Sequence, residues 1–375
     1  MKGDLIVFVN QNAGYLMIDI INAHQRQYKK RAFITGKINP RDTPLDAGVK
    51  IEKIIAYNRS TAFKRLFTWI WGFVQILVLV KTKYRHADLY IVSNPPFSTL
   101  IPLLCKNKFN VLIFDVYPDA LVEYKILNKN SFIVRMWRNA NKRLYSKAQN
   151  IFTLSGGMKA LLGQYVPVEK IRVAPVWTDN SFLKPIPRKE NPFILKHLLN
   201  DKFLVIYSGN LGYTHNPEVL VECARKIKDS RVVFVIIGEG EKKRLLVERI
   251  NFYKLENCML LPWQDISVLP YSLAAADLGV VSLGKEASHL SVPSKTYDLM
   301  SVGAPLLCVA SEQSELAELV NRYQLGKCFD PSEVDAIVAY IEDLASNKEL
   351  HASMHSRALI ASKDFGSENA FKLVV

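Results

Sequence analysis

Three short stretches of this 375-residue chain place residues at spacings suited to holding an anionic ligand that also carries hydroxyl groups. The first is Gly209-Asn210-Leu211-Gly212, which follows the apolar run Phe203–Ser208 and precedes a helical stretch in which Asn216-Pro217 reads as N-cap and first helical position. Glycines here let the backbone come close to a ligand, and the next helix offers its positive end to a diphosphate. The second is Gly238-Glu239-Gly240 at the end of Val232–Ile237. The third, Pro293-Ser294-Lys295-Thr296-Tyr297-Asp298, opens a helical stretch in which Lys295 and Asp298 share one face. A lysine in a first helical turn opposes the helix dipole, so its presence there suggests a bound anion. An aspartate one turn later can accept two hydroxyl hydrogen bonds, as a ribose diol would offer. Tight turns explain the glycines equally, and a surface Lys–Asp pair worth little is the alternative for the third stretch.

These stretches need elements to hold them. Short Val/Ile/Leu runs alternate with segments of helical length: Leu5–Val9, Leu89–Ser93, Val111–Asp115, Ile151–Leu154 and Ile171–Ala174, then Phe203–Ser208, Val232–Ile237, Met259–Leu261, Leu278–Ser282 and Leu306–Val309. Continuous apolar runs of this length imply parallel strands buried on both faces. The expected fold class is α/β: two Rossmann-like domains with parallel sheets facing a central cleft. The expected boundaries are 1–185, a linker at 186–202 marked by Pro187 and Pro192, a second domain at 203–360, and a C-terminal helix at 361–375 packing back toward the first domain.

The charge is unevenly divided. The net of +14 splits into +18 for residues 1–190 (30 Lys+Arg against 12 Asp+Glu) and −4 for residues 191–375 (19 against 23). A hydrophobic share of 49% with 22% charged residues excludes fibrous and disordered classes. Five cysteines lie far apart without a CxxC pair, which argues against a disulfide scaffold or a thiolate zinc site. No RNA-binding or helix-turn-helix signature accompanies the basic half, so nucleic acid is not expected as a partner. The apolar run Leu5–Val9 is too short for a signal-peptide core, and a cytoplasmic protein is expected.

Taken together, the glycine loops, an aromatic loop at Leu261-Pro262-Trp263-Gln264, Ala274-Ala275-Ala276-Asp277 ahead of a strand, the Pro-Ser-Lys-x-x-Asp stretch and Gly303-x-Pro305 resemble retaining GT-B glycosyltransferases of the family-four type, especially bacterial enzymes that build surface polysaccharides. The resemblance covers most of residues 203–309; in the first half only Val92–Phe97 and Asp115–Asp119 look similar, and more loosely. It implies transfer of a hexosyl or acetamidosugar unit from a nucleotide-diphosphate sugar, with UDP as the expected nucleotide. Asp298 stands at the place of a family glutamate whose carboxylate binds the ribose. Lys295 and Ser294, with the Gly209–Gly212 loop, would hold the diphosphate, flanked by Thr296. Gly238, Glu239, Gly240 and the Trp263–Gln264 loop would surround the nucleoside. Where the family's other glutamate contacts the donor sugar this chain has Leu290, so His289, Glu286 or the amides around Ser288–Ser291 would replace it. The basic residue that many members carry just after the first glycine loop is missing, since Tyr213-Thr214-His215 stands there.

Such a transfer must stabilise a departing diphosphate, for which helix ends and one lysine suffice; no aspartate pair for a metal stands out, and neither metal nor cofactor is expected. Asp115, at an expected strand end, and Asp119 are candidates to receive the acceptor's proton, with a turn or N-cap role as the alternative for Asp115. The expected acceptor is a lipid-linked saccharide. Lys/Arg clusters such as Arg26-Lys29-Lys30-Arg31 and Arg135-Arg138-Lys142-Arg143, and the apolar stretch Leu66–Val80 with basic flanks, suggest contact with an anionic membrane surface at the inner face of the cell membrane. The same stretch also reads as a buried core helix. A nucleotide-sugar epimerase or hydrolase using a soluble substrate is the competing function.

Overall fold

The computed structural model describes residues 4–58, 60–123, 125–212, 215–284 and 292–375. The chain divides into two compact units, Met1–Val176 with Ser367–Val375, and Trp177–Gly366.

The first unit is built on seven parallel strands, β1 (Leu5–Val9), β2 (Lys30–Thr35), β3 (Val49–Lys53), β4 (Asp88–Val92), β5 (Phe109–Ile113), β6 (Asn150–Thr153) and β7 (Ile171–Val173), in the order β3-β2-β1-β4-β5-β6-β7. Five of these are the apolar runs read from the sequence. β2 and β3 escaped because β2 opens on Lys30-Arg31 and β3, an edge strand, alternates charged and apolar residues. Arg31 belongs to no surface cluster: it is buried, donates to Ile21 O at 3.0 Å and pairs with Asp46 at 2.7 Å.

Helix α1 (Ala62–Thr82) starts at Thr61, whose hydroxyl accepts from the Lys64 amide. The core reading of Leu66–Val80 holds for one face of this helix only. Thr68, Ile76 and Val80 are buried, with Ile76 and Val80 in the core formed by the sheet, while Phe63, Phe67, Trp71 and Val78 face outward. Gly72 marks where the helix meets the sheet edge. A Cβ there would lie 2.5 Å from Gln11 Nε2, which donates to Thr68 O at 2.7 Å.

Helix α2 (Phe132–Lys147) is capped by Ser131 and fixed by Asp119. Arg138 donates to Asp119 Oδ1 at 2.6 Å and the Tyr165 hydroxyl donates to Oδ2. Both oxygens of this buried carboxylate are therefore taken, and Asp119 holds the unit together where a proton acceptor was expected. Asp119→Asn leaves Arg138 without its counter-charge, and a loss of about 3 kcal/mol in unfolding free energy is expected by denaturant titration.

The second unit holds β8 (Phe203–Ser208), β9 (Val232–Ile237), β10 (Cys258–Leu261), β11 (Leu278–Ser282), β12 (Leu306–Val309) and β13 (Gly326–Phe329), all parallel, in the order β10-β9-β8-β11-β12-β13. β13, short and at the edge, is the strand the apolar pattern does not reveal. Residues 186–202 are not a free linker. Phe193, Ile194 and Leu199 pack into the core of this unit, and Arg188 pairs with Asp277 at 2.9 Å. The division between units falls instead at Trp177, and the final segment Ser367–Val375 groups with the first unit.

Candidate functional site

In an open parallel sheet, ligands bind beyond the carboxyl ends of the strands where the strand order reverses. In the second unit that point lies between β8 and β11, and it is bridged by side chains. His215 Nδ1 lies 2.8 Å from Ser282 O, and the Asn216 amide donates to the Ser282 hydroxyl at 2.9 Å. A carbonyl oxygen only accepts, so Nδ1 carries the proton, and Nε2 has no hydrogen-bond partner among the described residues. Burial, followed by the ammonium of Lys295 and then that of Lys242, holds the imidazole below the usual histidine range.

The Gly209–Gly212 loop lies directly on the Gly238–Gly240 loop. Gly209 N donates to Ile237 O at 2.9 Å, and Leu211 N to Glu239 O at 2.8 Å. A Cβ on Gly238 would sit 1.9 Å from the Gly209 carbonyl oxygen, and one on Gly240 would sit 2.5 Å from the Leu211 carbonyl carbon. The second pair of glycines thus serves the first: only bare backbone lets the two loops stack. Tyr207 completes the support, its hydroxyl donating to Asn210 O at 2.7 Å.

Helix α3 (Ser294–Ser301) brings Lys295 over this platform. The Lys295 Nζ stands 4.1 Å from the centre of the Tyr207 ring, and a Cβ on Gly209 would be 2.5 Å from it. That nitrogen is shielded from solvent, and among the described residues it has no hydrogen-bond partner. Burial lowers its pKa from 10.5 to about 7. No anion among the described residues meets it. Its neighbour Thr296 is also buried, with a hydroxyl that has no partner among the described residues. Asp298 does not pair with Lys295 at the surface; it is buried and its Oδ1 accepts from the Thr178 hydroxyl at 2.6 Å.

The other expected site residues fall in four groups. Ser294 is the exposed first residue of α3, and Asn210 is exposed on the loop. Glu239 pairs with Lys243 at 2.7 Å, Trp263 is exposed just beyond β10, and Gln264 donates back to Pro262 O at 2.8 Å. His289 and Ser291, with Glu286, Ser288 and Leu290, lie outside the described residues. In the first unit Asp115 is exposed two residues past β5, and its backbone amide donates to Ser93 Oγ at 3.1 Å. Sequence reading missed Tyr207, Thr178, and Lys242, which donates to His215 O at 2.5 Å and to Glu218 at 2.8 Å. For Tyr207 there was a signal, a hydroxyl-bearing aromatic near the carboxyl end of an apolar strand; Thr178 is 120 residues from its partner and had none.

Residues 189–359 match the family model described as Glycosyl transferases group 1. The protein is a glycosyltransferase. It is 25% identical over 354 residues to WbjE of Pseudomonas aeruginosa, across 90% of this chain and 87% of that one. It is 26% identical over 196 residues to WcaI of Escherichia coli K12, across 51% of this chain and 48% of that one. Both names are provisional, WbjE's as a glycosyltransferase and WcaI's as a colanic acid biosynthesis glycosyl transferase. Among solved structures, Anabaena HepE in complex with UDP-glucose superposes with a TM-score of 0.72 at 16% identity, over 98% of this chain and 97% of that one. The glycosyltransferase therefore has the GT-B fold expected from its motifs.

Proposed function

We propose that this glycosyltransferase moves a sugar, with retention, from a UDP-sugar to a lipid-linked saccharide during assembly of a bacterial surface polysaccharide. The observation that carries the donor reading is the shielded Lys295 Nζ, without a partner among the described residues, above two stacked glycine loops at the strand-order reversal. It supplies what a departing diphosphate needs: a fixed cation in a desolvated site, which acts far more strongly there than in water. The N-terminal turn of α3 and the Asn210 and Gly212 amides, which have no partner among the described residues, add oriented donors. Asp298 is the carboxylate assigned to the ribose, with Thr178 fixing its orientation, and Trp263 and Gln264 are assigned to the base. Attack on the same face of the sugar asks for no enzyme nucleophile, and Asp115 is assigned to the acceptor hydroxyl. The complex of HepE with UDP-glucose favours UDP, and the naming of WcaI for colanic acid favours polysaccharide assembly.

The test is calorimetric titration with a panel of nucleotide sugars, followed by transfer of labelled sugar to lipid-linked acceptors. Release of free sugar without transfer would favour the hydrolase alternative. The titration also has a required pH dependence. Both phosphates of a UDP-sugar stay singly ionised across neutral pH, and His215, held below its usual range, is neutral above it. The ammonium of Lys295, with a pKa of about 7 in the free protein, is therefore the group that changes. Affinity should be flat below that value and fall by up to about tenfold per pH unit above it, until the pKa of the complex is reached. A flat profile from about pH 6 to about pH 9 would show that Lys295 does not meet the diphosphate.

A further inference from the structure

The first unit carries a face that its own fold leaves uncovered. α1 presents Phe63, Phe67, Ile70, Trp71, Val74 and Val78 outward at three- and four-residue spacing, the pattern that normally faces a core. The turn Ser98–Leu104 packs against both α1 and α2, so the three elements share one side of the sheet. Leu104, and Phe132, Ile133 and Met136 in the first turns of α2, are exposed as well.

The two stretches that supply α1 and α2 hold no acid. Residues 53–87 hold seven Lys+Arg and no Asp or Glu, and residues 124–168 hold eight and none. Lys83 and Arg138 are paired, to Glu52 and Asp119. Just beyond the carboxyl end of α1, Lys81, Arg85, Lys106 and Lys108 line a cavity of about 740 Å³. The carboxylate in its wall, Asp88, accepts from the Tyr28 hydroxyl at 3.2 Å.

An apolar stripe along α1 that ends on cations with no carboxylate partner among the described residues matches one kind of occupant. We infer that this face seats the protein on a bilayer bearing anionic headgroups, with α1 lying in the interface plane and the Lys81–Lys108 cavity receiving lipid phosphate. This deepens, and rests on, the reading that the acceptor is lipid-linked. α1 is long and apolar enough to cross a membrane. Ile76 and Val80 are nevertheless part of the sheet's core, and leaving it would expose that core to solvent. A second copy of the chain is a poor partner, because two such basic faces would oppose like charges.

The experiment uses the full chain with vesicles of phosphatidylcholine alone or mixed with phosphatidylglycerol. Binding to the anionic vesicles should be at least about tenfold tighter, and it should weaken about tenfold or more in Phe67→Glu/Trp71→Glu and in Lys106→Glu/Lys108→Glu. Far-UV circular dichroism and the thermal unfolding midpoint, read on the same variants, should match the parent's, which shows that the mutated unit is folded. In the parent chain, brominated lipid should quench a tryptophan signal that Trp71→Phe removes. Unchanged binding by the charge- or face-reversed variants would overturn the inference, as would release from vesicles by inorganic phosphate alone, or preference for single-stranded DNA. If the parent binds vesicles but uses only soluble acceptors, the acceptor reading fails and the face stands; if it uses lipid-linked acceptors without binding vesicles, the reverse holds.

Discussion

Lys295→Met is expected to lower kcat by about 10²–10³-fold with UDP-sugar donors while leaving the protein as stable as its parent or more so. The two halves of that expectation come from one fact. The Lys295 amine is shielded, rests over the Tyr207 ring and meets no acceptor among the described residues, so in its protonated form it is a desolvated cation that a bound anion would stabilise. Methionine keeps the volume and removes the charge. The pH dependence of stability gives an independent check. An amine whose pKa is about 7 when folded and 10.5 when unfolded makes the unfolded chain bind more protons between those values. Unfolding free energy should therefore rise with pH across that window in the parent, and this contribution should vanish in Lys295→Met. Unchanged turnover would remove Lys295 from the chemistry. Lost turnover together with a collapsed thermal midpoint would make it a packing residue.

Gly238→Ala is expected to be nearly as damaging, by a different route. The added methyl would stand 1.9 Å from the Gly209 carbonyl oxygen, and that atom belongs to backbone pinned by the Gly209–Ile237 and Leu211–Glu239 hydrogen bonds. A flexible side chain could swing away; this loop has to lift as a whole. Moving it carries Gly209 away from Lys295, so UDP affinity should weaken by about 100-fold, with a stability loss of about 1–3 kcal/mol. Gly14→Ala is the control, since a Cβ there meets nothing within 4 Å. Equal UDP affinity in Gly238→Ala and the parent, by calorimetry, would show that the lower loop is not what sets the upper one.

Much of the architecture was legible because burial on both faces of a parallel sheet demands long apolar runs. Ten of the thirteen strands in the two large sheets announce themselves that way, and the three that do not, β2, β3 and β13, begin on charge or lie at an edge where one side meets water. The glycine loops and Lys295 were legible for a related reason: glycine before a helix and lysine in a first turn are locally unfavourable choices that ask for a ligand or a close neighbour. The net positive charge of the first half was also countable, but its assignment was not. Arg31 is buried against Asp46 and Arg138 is spent on Asp119, while the acid-free stretches around α1 and α2 gather onto one face only once the chain is folded.

What the sequence determined by itself is the fold class, the order of the strands along the chain and the identity of the loops that bear chemistry, because each depends on residues adjacent in the chain. What the tertiary structure alone decided is which groups are left without partners. Thr178 takes Asp298 from 120 positions away, Arg138 and Tyr165 take Asp119, and Tyr207 offers Lys295 only the face of a ring. Charge and hydrogen-bonding capacity belong to single residues, but satisfaction is a property of neighbours, and neighbours are set by packing.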